Sequence, residues 1–149
     1  MQRLRSSISV PWLAVSVVIA LAIWANSMVP GSDSSQISHG VLDMVRGLLL
    51  DAGLPVEWLS HFFIRKMGHF TEYLALGVSV SAALDRGAHL DTLRVLSIAS
   101  TVLIVASLDE VIQLFVPGRC GQVADVLLDC MGAIVGIAVS SFVRRRITS

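Results

Sequence analysis

The chain has 149 residues, of which 54% are apolar and only 15% charged, well below the quarter or so expected of a soluble globular domain. Its 11 basic and 11 acidic residues cancel, which argues against a nucleic-acid surface or a polybasic lipid tether as the main function. The expected solvent is a bilayer, and the expected fold is a single all-α membrane domain over 1–149 with about four transmembrane helices and an external amphipathic interfacial helix.

The first apolar run, from about Ile8 to Met28, carries no charge and has roughly the 20 residues needed to cross hydrocarbon. Arg3 and Arg5 precede it and Ala25-Asn26-Ser27 follows, so a cleavable signal peptide is the alternative; its apolar stretch is longer than the usual 7 to 15 or so. An external segment over about 34–64 comes next. Asp33 or Ser34 is placed to cap a helix with Ile37, Val41, Val45, Leu48 and Leu49 on one face, and Gly53 and Pro55 end it. Such a helix lies in the membrane interface. Trp58, Phe62 and Phe63 then mark a headgroup belt.

Three more spans are expected, at about 66–84, 93–116 and 123–143, the last ending at Arg144-Arg145-Arg146. With the N-terminus inside, Arg3, Arg5, Arg86, Arg94 and that triplet are inside, against Arg46, Arg65, Lys66 and Arg119 outside: seven basic residues to four. Both termini are then cytoplasmic. Cys120 and Cys130, roughly 15 Å apart along a helix, are badly placed for a disulfide, and no zinc spacing occurs.

The polar residues inside the spans converge. The second opens with Arg65-Lys66-x-x-His69-Phe70-x-Glu72-Tyr73, the third closes with Asp109-Glu110-x-x-Gln113 before Pro117-x-Arg119, and the fourth opens with Asp125-x-x-x-Asp129. Counted at about 1.5 Å per residue, these groups lie roughly 5 to 12 Å below the outer helix ends. Spacings of three and four put each set on one helix face, and that face must turn inward, because a charge facing lipid costs about 2.5–3.5 kcal/mol at the bilayer centre. Lys66, Arg119 and His69 are the cations available to Glu72, Asp109, Glu110, Asp125 and Asp129. Acid exceeds base, so at least one carboxyl is expected to be protonated, to share a proton or to bind a cation. Gly132-x-x-x-Gly136 permits close helix packing.

The runs Arg65-Lys66-x-x-His69-Phe70-x-Glu72-Tyr73-x-x-Leu76-Gly77, Asp109-Glu110-x-x-Gln113-x-Phe115-x-Pro117-x-Arg119 and Asp125-Val126-Leu127-Leu128 followed by Gly132 and Gly136 resemble the VanZ-like family of bacterial membrane proteins. The resemblance covers most of the chain. It implies a bacterial cytoplasmic membrane and reduced sensitivity to teicoplanin-like glycopeptides, and it supplies no reaction. Family members commonly carry Asn where this sequence has Asp129, which adds a potential negative charge.

Three functional readings stay open. One is a pocket that binds an envelope lipid precursor or the glycopeptide itself, with Lys66 and Arg119 on the anionic group. The second is a membrane-embedded enzyme on a lipid-linked substrate, with His69 and Glu72 as an acid/base pair or a divalent cation on His69, Glu72, Asp109, Asp125 and Asp129, for which Mg²⁺ or Ca²⁺ is more natural than zinc. No Gly-x-Ser-x-Gly or other nucleophile motif accompanies it. The third is an ion network that only fixes helix packing. A transporter would require a homo-oligomer, since the polar layer does not reach the inner face.

Overall fold

A computed structural model describes residues 8–84 and 92–148. The expected basic residues Arg3, Arg5 and Arg86 lie outside that range, as do the side chains of Arg94 and Arg145. Among the described residues the chain forms five helices: α1 (Val10–Ser27), α2 (Gly31–Asp51), α3 (His61–Leu84), α4 (Thr92–Leu114) and α5 (Val123–Thr148).

Pro11 in the first turn of α1 suits a position whose N–H has no helical partner. α2 begins without a side-chain cap: Asp33 and Ser34 donate their amides to the Pro30 carbonyl, and the Gly31 amide donates to Pro117 O at 3.0 Å. The cap is thus main chain, not the Asp33 or Ser34 side chain, because the turn after α4 supplies the acceptor. Gly53, at φ +71°, occupies the left-handed conformation that ends α2. α3 starts earlier than the apolar run predicts, at His61, because Ser60 Oγ accepts the Phe63 amide. α5 continues through the arginine triplet, where no Gly or Pro interrupts it.

Helix α3 is the centre of the bundle and touches each of the other four. Tyr73, Leu76 and Val80 from α3 pack with Ala20 and Ile23 of α1, Ile98, Val102, Val105 and Ala106 of α4, and Ala133 of α5. α1 is integral to this core; Trp24 Nε1 donates to Val105 O at 3.2 Å. Contact with α5 is the most extensive, and it depends on small residues. A methyl group at Gly136 would collide with the Leu74 carbonyl, one at Gly132 with that of Phe70, and one at Gly77 with that of Ala133. Gly136→Ala is therefore expected to separate α3 from α5 at a cost of about 1–3 kcal/mol, read as a lower melting temperature in detergent. An unchanged melting temperature would contradict this packing.

The outer surface is apolar. Val18 and Leu21 of α1, Leu96 and Ile104 of α4, and Leu127 and Ile134 of α5 are all more than half exposed, which a water-soluble monomer does not sustain over three helices. Among the described residues three segments are long and apolar enough to cross a membrane: Val10–Ser27, Val95–Leu114 and Val123–Arg144. The expected fourth, within α3, is not among them. Lys66, His69, Glu72, Ser79 and Ser81 lower its hydropathy, and the fold turns His69, Ser79 and Ser81 into the bundle and away from lipid.

Helix α2 divides the apolar face expected of it. Ser34, Ser38, Leu42 and Leu49 turn toward the protein, whereas Ile37, Val41 and Leu48 of the expected apolar face point outward together with Met44. The expected stripe is thus split, with Leu49 against the bundle, Val45 half-buried, and Ile37, Val41 and Leu48 turned away from it.

Candidate functional site

The helix directions bring the polar residues to one end. Ser9 donates its amide to Ala83 O at 2.9 Å, and Arg144 bonds Ser81 Oγ at 2.8 Å, so the start of α1 and the ends of α3 and α5 share the opposite end. The end of α1, the start of α3, the end of α4 and the start of α5 therefore meet at the other.

There His69, Asp109, Glu110 and Asp129, all buried, each offer a ligating atom within 4.8 Å of one another. His69 Nδ1 lies 3.6 Å from Asp129 Oδ1 and 3.9 Å from Asp109 Oδ2, beyond hydrogen-bond range. Both oxygens of Asp129, Oδ1 of Asp109, Oε1 of Glu110, Oε1 of Gln113 and the Tyr73 hydroxyl are buried without a hydrogen-bond partner. Burying polar atoms unsatisfied costs about 1–3 kcal/mol each, more when charged, so such a cluster calls for a ligand or protons.

The other predicted residues take separate places around this cluster. Lys66 forms an ion pair with Asp125, bridging α3 and α5. Gln113 Nε2 donates to Ser27 Oγ at 3.1 Å and to Asp109 Oδ2 at 3.3 Å, tying α4 to α1. Glu110 Oε2 accepts the Gln122 amide at 2.7 Å, closing the turn between α4 and α5. Glu72 and Asp125 do not enter the four-residue group. Glu72 turns to Asn26 of α1, whose Nδ2 donates to Oε1 at 3.0 Å.

Arg119 departs furthest from expectation. Among the described residues no carboxylate pairs with it; Nε donates to Val29 O at 3.1 Å and Nη2 to Asn26 O at 3.0 Å. Val29 O lies just past the end of α1, and Asn26 O also accepts the Val29 amide, so the guanidinium closes off the end of that helix. Burial, and then the like charge of Arg65, pushes its pKa down from the usual arginine value.

Spacing alone does not single out Asn26, Ser27, Ser34, Ser38 or Arg65. Arg65, Arg119, Asn26, Ser34, Ser38 and His69 line a small cleft between the start of α2 and the four-residue group. The available signal was the polar Asn26-Ser27 pair that ends an otherwise apolar span. Cys120 and Cys130 are both free thiols.

Neither curated proteins nor solved structures give a match to this chain. A family model described as VanZ/LLP1 matches residues 12–144, a range that takes in all three motif runs and every residue of the polar end. Membrane-type apolar helices, the buried polar end and this match agree, and the chain belongs to the VanZ/LLP1 family.

Proposed function

We propose that this is a four-span protein of the bacterial cytoplasmic membrane, with α3 as the enclosed fourth span, and that its outward-facing polar pocket binds the head group of an envelope lipid around a divalent cation. The observation that carries the reading is the convergence of His69, Asp109, Glu110 and Asp129 within 4.8 Å, buried and short of cationic partners. Ligands on opposite sides of a Ca²⁺ ion stand about 4.6–5.2 Å apart and those of Mg²⁺ about 4 Å, so the set suits Ca²⁺ as it stands and Mg²⁺ after slight contraction. Three carboxylates and one imidazole make a hard, oxygen-rich site.

An apolar groove of about 300 Å³ between α1, α3 and α4, lined by Leu13, Val17, Leu21, Trp24, Val80 and Val105, supports the lipid part. The groove reaches Trp24 near the same end of α1 as the cleft at Asn26, and in this reading it takes the lipid's chain. A bound cation would also polarise a head-group oxygen or activate water, which is the route to an enzyme without a protein nucleophile. Reduced sensitivity to teicoplanin-like glycopeptides is the cellular readout that family resemblance supplies, with the lipid precursor or the glycopeptide as partner.

Calorimetric titration of the detergent-purified protein with Ca²⁺ and Mg²⁺ tests the cation. One ion per chain is expected, and no binding of either ion would refute the proposal. Orientation has its own test, because Cys120 is exposed in the turn beside the pocket. An impermeant maleimide is expected to label Cys120 in intact cells; labelling only after permeabilisation would place the pocket in the cytoplasm.

A further inference from the structure

We propose that the cleft lined by Arg65 and Arg119 is a phosphate subsite, and that the head group taken by the pocket ends in a phosphomonoester. This deepens the lipid-binding reading of the same pocket and rests on it.

Two guanidinium groups face a cleft of only about 90 Å³ whose lining contains no carboxylate. The like charge of Arg65 and the opposite charges of Asp109, Glu72 and Glu110 all act on Arg119, and an anion between the two guanidinium groups would offset their mutual repulsion. Arg119 is oriented by Val29 O and Asn26 O through Nε and Nη2, and among the described residues its Nη1 has no hydrogen-bond partner. Arg65 makes no ion pair among the described residues. Planar guanidinium forks match phosphate oxygens, and the Ser34 hydroxyl is a neutral donor beside them; the Ser38 hydroxyl is already given to Ser34 O, and Asn26 Nδ2 donates to Glu72.

Size narrows the ligand further. A space this small admits one compact anion and excludes a saccharide or a peptide, so those parts of any larger lipid would remain outside. His69 belongs both to the cleft and to the four-residue ligand group, so an anion held by the arginines would lie next to the cation position. A terminal phosphate, carrying about 1.5 to 2 negative charges, balances two arginines better than a diester with one.

Titration of the detergent-solubilised protein in Ca²⁺ with short-chain phosphatidic acid tests the inference. Arg65 is the residue to change, because Arg119 also holds the turn to α1. Wild type is expected to bind the phosphomonoester lipid, Arg65→Ala at least tenfold more weakly, and Arg65→Lys in between. Phosphatidylglycerol is expected to compete poorly. Inorganic phosphate competing as well as the lipid would keep the subsite and assign free phosphate as its ligand. Equal affinity of wild type and Arg65→Ala, or equal binding of a neutral phosphatidylcholine, would overturn it. Ca²⁺ binding measured on the same samples separates the two proposals: Arg65→Ala that still binds Ca²⁺ with unaltered lipid affinity sinks only the phosphate subsite. Wild type that binds no Ca²⁺ yet shows the Arg65 effect sinks only the cation.

Discussion

Asp109→Asn is expected to abolish the stabilisation of this protein by Ca²⁺ or Mg²⁺ while leaving it folded without them. Asp109 is fully buried, offers one of the four converging ligand atoms, and keeps its contact from Gln113 Nε2 when the carboxylate becomes an amide of the same shape. In wild type, cation at a hundred times its dissociation constant would add about 2.7 kcal/mol to stability. The measurement is a melting temperature in detergent, with EDTA and with each cation in turn. Without cation, removing one of several crowded negative charges relieves repulsion, so the variant melts at or above the wild-type temperature. With cation, only wild type rises. A purely structural ion network gives the opposite pattern: no response to cation in either protein, and a loss on mutation. Asp129→Asn extends the test, since resemblance to the family makes Asn the common residue there.

Lys66→Met is expected to destabilise the bundle by about 3–5 kcal/mol, because it leaves the Asp125 carboxylate buried and unpaired. Asp125 is 2% exposed, and its second oxygen already lacks a partner, so no nearby group stands ready to replace the lysine. Adding Asp125→Asn to Lys66→Met removes the stranded charge and is expected to recover most of the loss. Inserted protein yield and melting temperature read both effects. If the double variant were no more stable than Lys66→Met, the lysine would be acting through contacts other than this ion pair. The pair joins α3 to α5 beside the ligand cluster, so its loss is also expected to weaken cation binding in whatever protein survives.

Much of this architecture was legible from residue spacing. The three apolar spans follow from length and hydropathy, and the i, i+4 pairs Asp109/Gln113 and Asp125/Asp129 predicted inward-facing polar faces at one end of the bundle. A charge has few favourable places in hydrocarbon, so each carboxylate in a span states its own direction. The GxxxG pair likewise announced a close approach of helices, and Gly132 and Gly136 meet the α3 main chain.

Tertiary structure alone decided the partners. Arg119 was expected among the carboxylates and instead bonds the exposed carbonyls at the end of α1; Glu72 was expected in the cluster and instead meets Asn26. Hydropathy also undercounts α3, because an average over residues does not register that a polar side chain has a helix, and not lipid, in front of it. The sequence by itself determined which groups must leave the lipid and toward which end of the spans they gather, since transfer free energy acts on each residue separately. Which of them meet, and which cations stay unpaired to face the cleft, depends on distances between helices far apart in the chain, and only the packed bundle sets those.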